Sequence, residues 1–458
     1  MKRKMIFLFS IFMLISAPTF AASPTIETVQ ASVDTIWVMI AAILVFFMHA
    51  GFAMVEAGFT RSKNTLNILM KNFLTVAIAS VLYFLIGYGI MFGTSFNGVI
   101  GTDGFILANV ENIGFFLFQA VFAATCATII SGAVAERMKL QSYLLLTIIM
   151  TGIIYPVVGH WIWGGGWLSK LGFVDFAGSS VVHLTGAAAA LTTVFFLGAR
   201  IGKYSEKGVN AIPGHNIPIG ALGVFILWFG WFGFNGGSSL VADPSLVPHV
   251  ITTTLLAASG AIISSAFYTQ IRFNRIDASL TLNGALGGLV GITAGCANVS
   301  IFGSIIIGLV AGIILVEAVR FIDVKAKIDD PVGAIAVHGI CGIWGTLAVG
   351  LFDVSSGLFY GGGASLLLVQ LTGVLSVIGW TVLTSGGLVY ILKKAFGIRV
   401  SHEEEIAGLD FAEHGSSAYE LNETIFDSKS TPTAPFGKDL VERLNGLGSS
   451  ETVNKTLH

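Results

Sequence analysis

Eleven long apolar segments, nearly free of charge, limit what this chain can fold into. They run over about 35–59, 69–93, 113–135, 141–163, 180–198, 216–235, 248–270, 279–297, 302–321, 332–352 and 364–392. Each has the length that an α-helix needs to cross a hydrocarbon layer about 30 Å thick. Only 11% of the 458 residues are charged, against roughly a quarter in a soluble domain. Lipid is therefore the expected solvent, and the expected fold is an all-α polytopic membrane protein with eleven transmembrane helices. A net charge of −2 offers no basic surface for nucleic acid. Cys126, Cys296 and Cys341 each sit inside an apolar run without metal-ligand spacing, and read as small core residues.

The loops between these segments alternate in charge. One set carries Arg61, Lys63, Arg137, Lys139, Arg200, Lys203, Lys207, Arg272, Arg275, Arg320, Lys325 and Lys327, and the other only Lys170. The positive-inside rule places the first set in the cytoplasm. Residues 1–22 read as a cleavable signal peptide, with a basic start at Met1–Lys4, an apolar stretch over Met5–Ile15 and small residues at Ala17–Ala22. Cleavage after Ala21 or Ala22 leaves the N-terminus outside, and eleven crossings put the C-terminus inside, beside Lys393, Lys394 and Arg399. Residues 23–396 form the expected membrane domain and 397–458 a polar cytoplasmic tail, disordered beyond about Leu421.

Asp175 precedes His183 by eight residues, and Asp330 precedes His338 by the same interval. The histidines fall in the fifth and tenth segments, five crossings apart, so those segments run in opposite directions. This is the pattern of an inverted repeat, here 35–198 and 216–352 with a final helix at 364–392, whose substrate path lies at the repeat interface near the midplane. Eight residues of continuous helix rise about 12 Å. On that reading each Asp sits at its membrane surface and carries its His inward from an opposite face. Ionisable groups at that depth are costly and line a path or pair with one another. No metal site or cofactor is expected, since no Cys or further His is matched to the pair, and no nucleophile suggests an enzyme. His49 and Glu56, seven residues apart on one helix face, are further candidates, although Glu56 lies near the cytoplasmic end, where capping a neighbouring helix is the favoured reading. Glu136 and Arg137 read as a structural pair.

Several motifs in order carry a resemblance. They are Ala135-Glu136-Arg137, Ile162-Trp163-Gly164-Gly165-Gly166, Asp175-Phe176-Ala177-Gly178 to His183, and Gly230-Trp231-Phe232-Gly233-Phe234-Asn235-Gly236-Gly237-Ser238. Asp329-Asp330-Pro331 leading to Val337-His338-Gly339, and Gly408-Leu409-Asp410 with His414-Gly415, complete the set. From about Thr35 to Tyr419 the chain resembles the ammonium transporter (Amt/Mep/Rh) family, nearer the Amt branch. The resemblance implies a homotrimer in the plasma (inner) membrane with one pore per subunit, conducting ammonium or ammonia and accepting methylammonium as an analogue. It implies that Trp163, Phe122 and Ser238 recruit the cation, that Phe122 and Phe234 form a gate, and that His183 and His338 are the twin histidines of the pore. Asp175 then supports the recruitment site without holding the ion, and Phe118 and Gln119 fall on the vestibule wall. The stretch Gly397–Tyr419 resembles a tail that folds on the cytoplasmic face and couples subunits, beside which a PII-type signal protein blocks the pore. An ammonium sensor of the same fold is the alternative function.

Overall fold

The computed structural model describes residues 25–419; the signal-peptide assignment and the tail beyond Leu421 lie outside them. Helices α1 (Ile26–Phe59), α2 (Ser62–Phe92), α3 (Ile113–Ala133), α4 (residues 140–162), α5 (Ser179–Leu197) and α6 (Ile217–Gly237) are followed by α7 (Leu246–Phe273), α8 (Ala278–Thr293), α9 (Ile301–Lys325), α10 (Ile335–Phe352) and α11 (Ser365–Ala395). Ten of these, among the described residues, are long and apolar enough to cross a membrane. The exception is α8, whose 16 residues span about 24 Å, less than the expected segment 279–297. Every residue from Asn283 to Thr293 is buried in protein, so its length is set by packing rather than by lipid. Two-stranded hairpins, Ser95–Phe96 with Ile100–Gly101 and Tyr204–Ser205 with Gly208–Val209, close two of the loops.

The glycines scattered through the apolar segments let the helices meet backbone to backbone, as in other membrane bundles. The seam between α1 and α6 shows why. A Cβ on Gly223 of α6 would stand 2.5 Å from the Val55 nitrogen and 2.7 Å from the Gly51 oxygen of α1, so no side chain fits there without moving a helix.

At one end of the bundle, hereafter the basic end, four loops converge on a buried ion cluster. Arg200 grips Asp329 through Nε and Nη2, each at 2.8 Å, and reaches Glu136 at 3.0 Å. Arg61 pairs with the same Glu136 at 2.8 Å. Glu136 and Arg137 are therefore not partners. Glu136 has φ +72, which turns the two side chains apart, and Arg137 instead donates to the carbonyls of Ala133, Ala135, Gly198 and Asp329. Burial pushes the Asp329 carboxyl up, but the Arg200 hydrogen bonds and the charges of Arg137 and Arg200 outweigh it and hold it at about 2, against an ordinary 3.8. A depressed carboxylate stabilises the fold above the unfolded value, and that contribution is lost as the pH falls through the folded one. The shift corresponds to about 2 kcal/mol. Asp329→Asn is accordingly expected to melt below wild type at pH 7 in detergent and level with it near pH 2. A gap that does not change with pH would show that the carboxylate's charge is irrelevant.

The stretch after α11 folds back on this end. Helix α12 (His402–Ala407) begins with a capping box of Ser401 and Glu404, in which each side chain satisfies the other's backbone N–H. Glu405 pairs with Arg399 at 2.8 Å and accepts the Ile201 N–H at 2.7 Å. In α13 (Leu409–His414) Asp410 accepts the Asn67 N–H, and Glu413 the Leu140 N–H. Leu140 opens α4, and Asn67 stands in the first α-helical turn of α2, which starts at Thr65 after a 3-10 turn at Ser62–Asn64, so both carboxylates meet backbone donors that lack a partner within their own helix. Residues 397–419 are thus a packed part of the described fold rather than a solvated strand.

Candidate functional site

Helices α5 and α10 enter the bundle from opposite ends, since Asp175 lies away from the basic cluster and Asp329 lies within it. Each opens with a widened π turn, Ser179–Leu184 and Ile335–Ile340, and each π turn carries one histidine. In the first, the His183 N–H reaches back five residues to the Gly178 carbonyl. Such turns are uncommon and cluster at functional sites. The eight-residue interval is therefore not continuous helix as expected. Helix begins only at Ser179, so His183 stands no more than about 6 Å of rise along it. Asp175 is itself enclosed by protein, 4% exposed.

Asp175 spends all its acceptor capacity on that helix start. Oδ1 accepts the N–H groups of Gly178 and Ser179, and Oδ2 those of Ser180 and Val181, at 2.8–2.9 Å. Burial pushes its carboxyl up to about 6 against these four donors, so it is ionised at pH 7. Asp330 repeats the device on α10, accepting the N–H groups of Gly333 and Ile335. The Asp175 carbonyl oxygen accepts the Trp163 indole N–H at 2.7 Å and so fixes that ring at the end of α4.

Trp163, Phe122 and Ser238 line one vestibule of about 270 Å3 at the end opposite the basic cluster. Phe118 and Gln119 share its wall, as do Phe92, Phe115 and Phe176, which the sequence did not single out. The Ser238 hydroxyl donates to the Phe234 carbonyl at 2.8 Å, which turns its lone pairs away from the helix and leaves them free to accept. Phe122 closes the floor. Its ring lies edge-on to Trp163 at 6.1 Å and stacks on Phe234 at 4.0 Å with a 20° tilt. Both phenylalanines are fully buried, so the passage is shut at this level.

Behind them the stack continues. Phe234 lies 5.4 Å from His183, and His183 lies 5.1 Å from His338, with tilts of 24° and 23°. The two Nδ1 atoms are 3.1 Å apart. Between neutral imidazoles one Nδ1 must donate and the other accept, so the rings hold opposite tautomers. Their Nε2 atoms are then unlike as well, one an acceptor and one a donor. His183 Nε2 is buried without a partner. Trp231 stacks on His183 at 5.0 Å and is tied to Thr293 by its indole N–H. The sequence signal for it was available, since Trp231 precedes Phe234 by about one helical turn and shares its face.

Beyond His338, toward the basic end, Phe52, Val55, Glu56, Thr128, Asn283, Leu286 and Val337 enclose a second, smaller cavity of about 20 Å3, enough for roughly one water. Glu56 caps no helix. Its Oε2 accepts from the Ser131 hydroxyl at 2.7 Å. His49, by contrast, is buried with neither ring nitrogen bonded. Among the described residues no three or more metal-ligating side chains gather.

Comparison with known proteins agrees with this arrangement. The chain is 44% identical over 420 residues to ammonium transporter Amt2 of Archaeoglobus fulgidus, across 86% of this chain and 89% of that one. It is 38% identical to ammonium transporter 1 member 3 of Solanum lycopersicum, across 86% and 95%. Among solved structures it is similar to a sensor Amt protein, with a TM-score of 0.82 and 41% identity over 85% of this chain and all of that one. Candida albicans Mep2 superposes with a TM-score of 0.77 at 26% identity, over 86% and 95%. The model of the Ammonium Transporter Family matches residues 36–419, nearly the whole described fold, and the chain belongs to that family.

Proposed function

We propose that this protein recruits ammonium in the outer vestibule, removes a proton from it near the phenylalanine gate, and conducts ammonia past the twin histidines. Here the end opposite the basic cluster is outside. The observation that carries this reading is the unbroken file of rings Phe122, Phe234, His183 and His338, apolar until the imidazoles begin. Ammonium and potassium are close in size and charge, so an electrostatic hole alone cannot separate them. Ammonium donates directed hydrogen bonds and can lose a proton, and this file selects on both properties. The rings of Trp163 and Phe122 attract a cation through their quadrupoles, and the Ser238 oxygen accepts one N–H. Carrying an intact cation further costs several kcal/mol. Splitting it into ammonia and a proton avoids that cost, with the opposite tautomers relaying the proton between the rings.

The same proposal takes α8 as the eleventh crossing, with the two halves as inverted repeats and the basic end cytoplasmic in the plasma (inner) membrane. A homotrimer fits the exposed apolar faces of the bundle, and a PII-type protein would meet the basic end beside residues 397–419. A second reading, a sensor with little transport, is favoured by the likeness to the sensor Amt protein. Methylammonium uptake into proteoliposomes tests both. Wild type is expected to take it up, and Trp163→Leu to need a roughly 2- to 30-fold higher concentration for half saturation, the span of a cation–π contact. A wild type that binds methylammonium without moving it would favour the sensor, and an unchanged Trp163→Leu would remove the recruitment role.

A further inference from the structure

Glu56 is a buried carboxylate that the mechanism above leaves without a task. It is 2% exposed, in an interior where an ionisable group is expensive unless it is paired or used. Its surroundings satisfy one oxygen and not the other. Ser131 bridges two charges, giving its hydroxyl proton to Glu56 Oε2 while its carbonyl accepts from Lys71 Nζ at 3.1 Å. Lys71 is almost fully buried and is the cation acting most strongly on this carboxylate. Asn72 lies beside the carboxylate with an N–H that favours its charged form; its other amide N–H goes to the Ile68 carbonyl, its oxygen accepts from Thr128, and it comes within hydrogen-bond distance of neither Glu56 oxygen. Glu56 Oε1 is left without a hydrogen bond.

That free oxygen belongs to a residue lining the cavity directly behind His338. Asn283 Oδ1, on the same wall, is also buried without a partner. Two unsatisfied acceptors around a space for about one water form a site for a donor. On the path as read above, two donors arrive there, namely ammonia and the proton passed along the imidazoles.

We propose that Glu56 is the inner proton acceptor of the pathway, where ammonia regains its proton before leaving. This rests on the transport reading given above. A proton taken up at His183 Nε2 pushes the His183 Nδ1 proton onto His338 Nδ1, and the Nε2–H bond of His338 breaks as an O–H bond forms on Glu56 Oε1, through a water held in the cavity. Glu56 then gives that proton to ammonia, forming the fourth N–H bond and regenerating the carboxylate. The transfer leaves the two tautomers exchanged, so the imidazoles turn over to restore them before His183 takes the proton of the next ammonium, and one nitrogen and one positive charge cross per cycle. The charge of Lys71 favours the carboxylate form between cycles, and Asn283 orients the water.

The competing role is structural, with Glu56 present only to neutralise Lys71. The full chain in proteoliposomes separates the two, with ammonium-driven current and methylammonium uptake as readouts. Glu56→Gln is expected to lower the maximal current at least about tenfold, as loss of a proton-transfer group does, with the half-saturating concentration unchanged. Glu56→Asp should restore much of it. The double variant Glu56→Gln/Lys71→Met removes both charges and guards against misfolding caused by an orphaned lysine. The relay keeps it as slow as Glu56→Gln, whereas a structural role returns it to the wild-type rate. A Glu56→Gln current within twofold of wild type, or recovery in the double variant, overturns the proposal while leaving the transport reading intact. A silent wild type would overturn the transport reading and this proposal with it.

Discussion

His338→Ala and His183→Ala, made separately, are expected to lower ammonium-driven current in proteoliposomes by about two orders of magnitude. A positioned proton-transfer group contributes roughly 10²- to 10⁴-fold, and here neither ring can act alone. The single Nδ1–Nδ1 hydrogen bond of 3.1 Å needs both partners, so the two single variants should resemble each other and the double variant should be little worse. That non-additivity is the sharper test, because groups acting as one unit lose nearly everything with the first deletion. Alanine also opens space beside Phe234 and Trp231, which stack on His183. Water and small cations would enter there, so whatever current survives should be less selective for ammonium over potassium. Single variants that keep wild-type current and selectivity would show that the histidines only fill space.

Asp175→Ala is expected to cost about 3 kcal/mol of stability, because it strands four buried N–H groups at the head of α5, each worth about 1–3 kcal/mol when unsatisfied, before water relieves some of them. It should also loosen Trp163, whose indole is anchored on the main chain of the same residue. One substitution therefore moves two readouts, the melting temperature and the half-saturating methylammonium concentration. Asp175→Asn keeps one carbonyl acceptor but turns an amide donor toward two of the N–H groups, and should fall between wild type and alanine. If Asp175→Ala melts with wild type, the four short contacts at 2.8–2.9 Å contribute nothing. A loss of affinity without loss of stability would instead mean that the carboxylate acts on the ion directly.

Much of this was legible in the residues because membranes make sequence patterns severe. Spanning helices need long apolar runs, so ten of the eleven expected segments return at crossing length. Trp163, Phe234, Ser238 and the two histidines stand in the quoted motifs, whereas Phe122, Phe118 and Gln119 come from the resemblance alone, and all of them lie together in the fold. Two of the misreadings share one cause, in that a local change of backbone is invisible to spacing. The interval from Asp175 to His183 was counted as helix, whereas Gly178 at φ +112 and a π turn divide it. Glu136 and Arg137 are neighbours in sequence, but a left-handed residue sends them to different partners. The segment 279–297 ended early because a helix walled by protein need not match a bilayer. Glu56 stayed ambiguous since its meaning depends on Ser131, Lys71 and Asn283, which no periodicity brings together.

The glycine seam between α1 and α6 has a consequence for accuracy. Side chains can change rotamer, so interfaces made from them yield by small amounts. Main chain against main chain has no such slack, and the gap between Gly223 and Gly51 is fixed by the hard radii of backbone atoms. Helix α6 carries Trp231 and Phe234 on one side of the histidines, and α1 carries Phe52 and Glu56 on the other. The bore of the passage is thereby held to the tolerance of atomic contact along its length. On the proposed path, a bore that cannot widen keeps out the water that an intact cation would need in order to cross. One added methyl group in the seam would alter the gauge of the whole path without touching any residue that lines it.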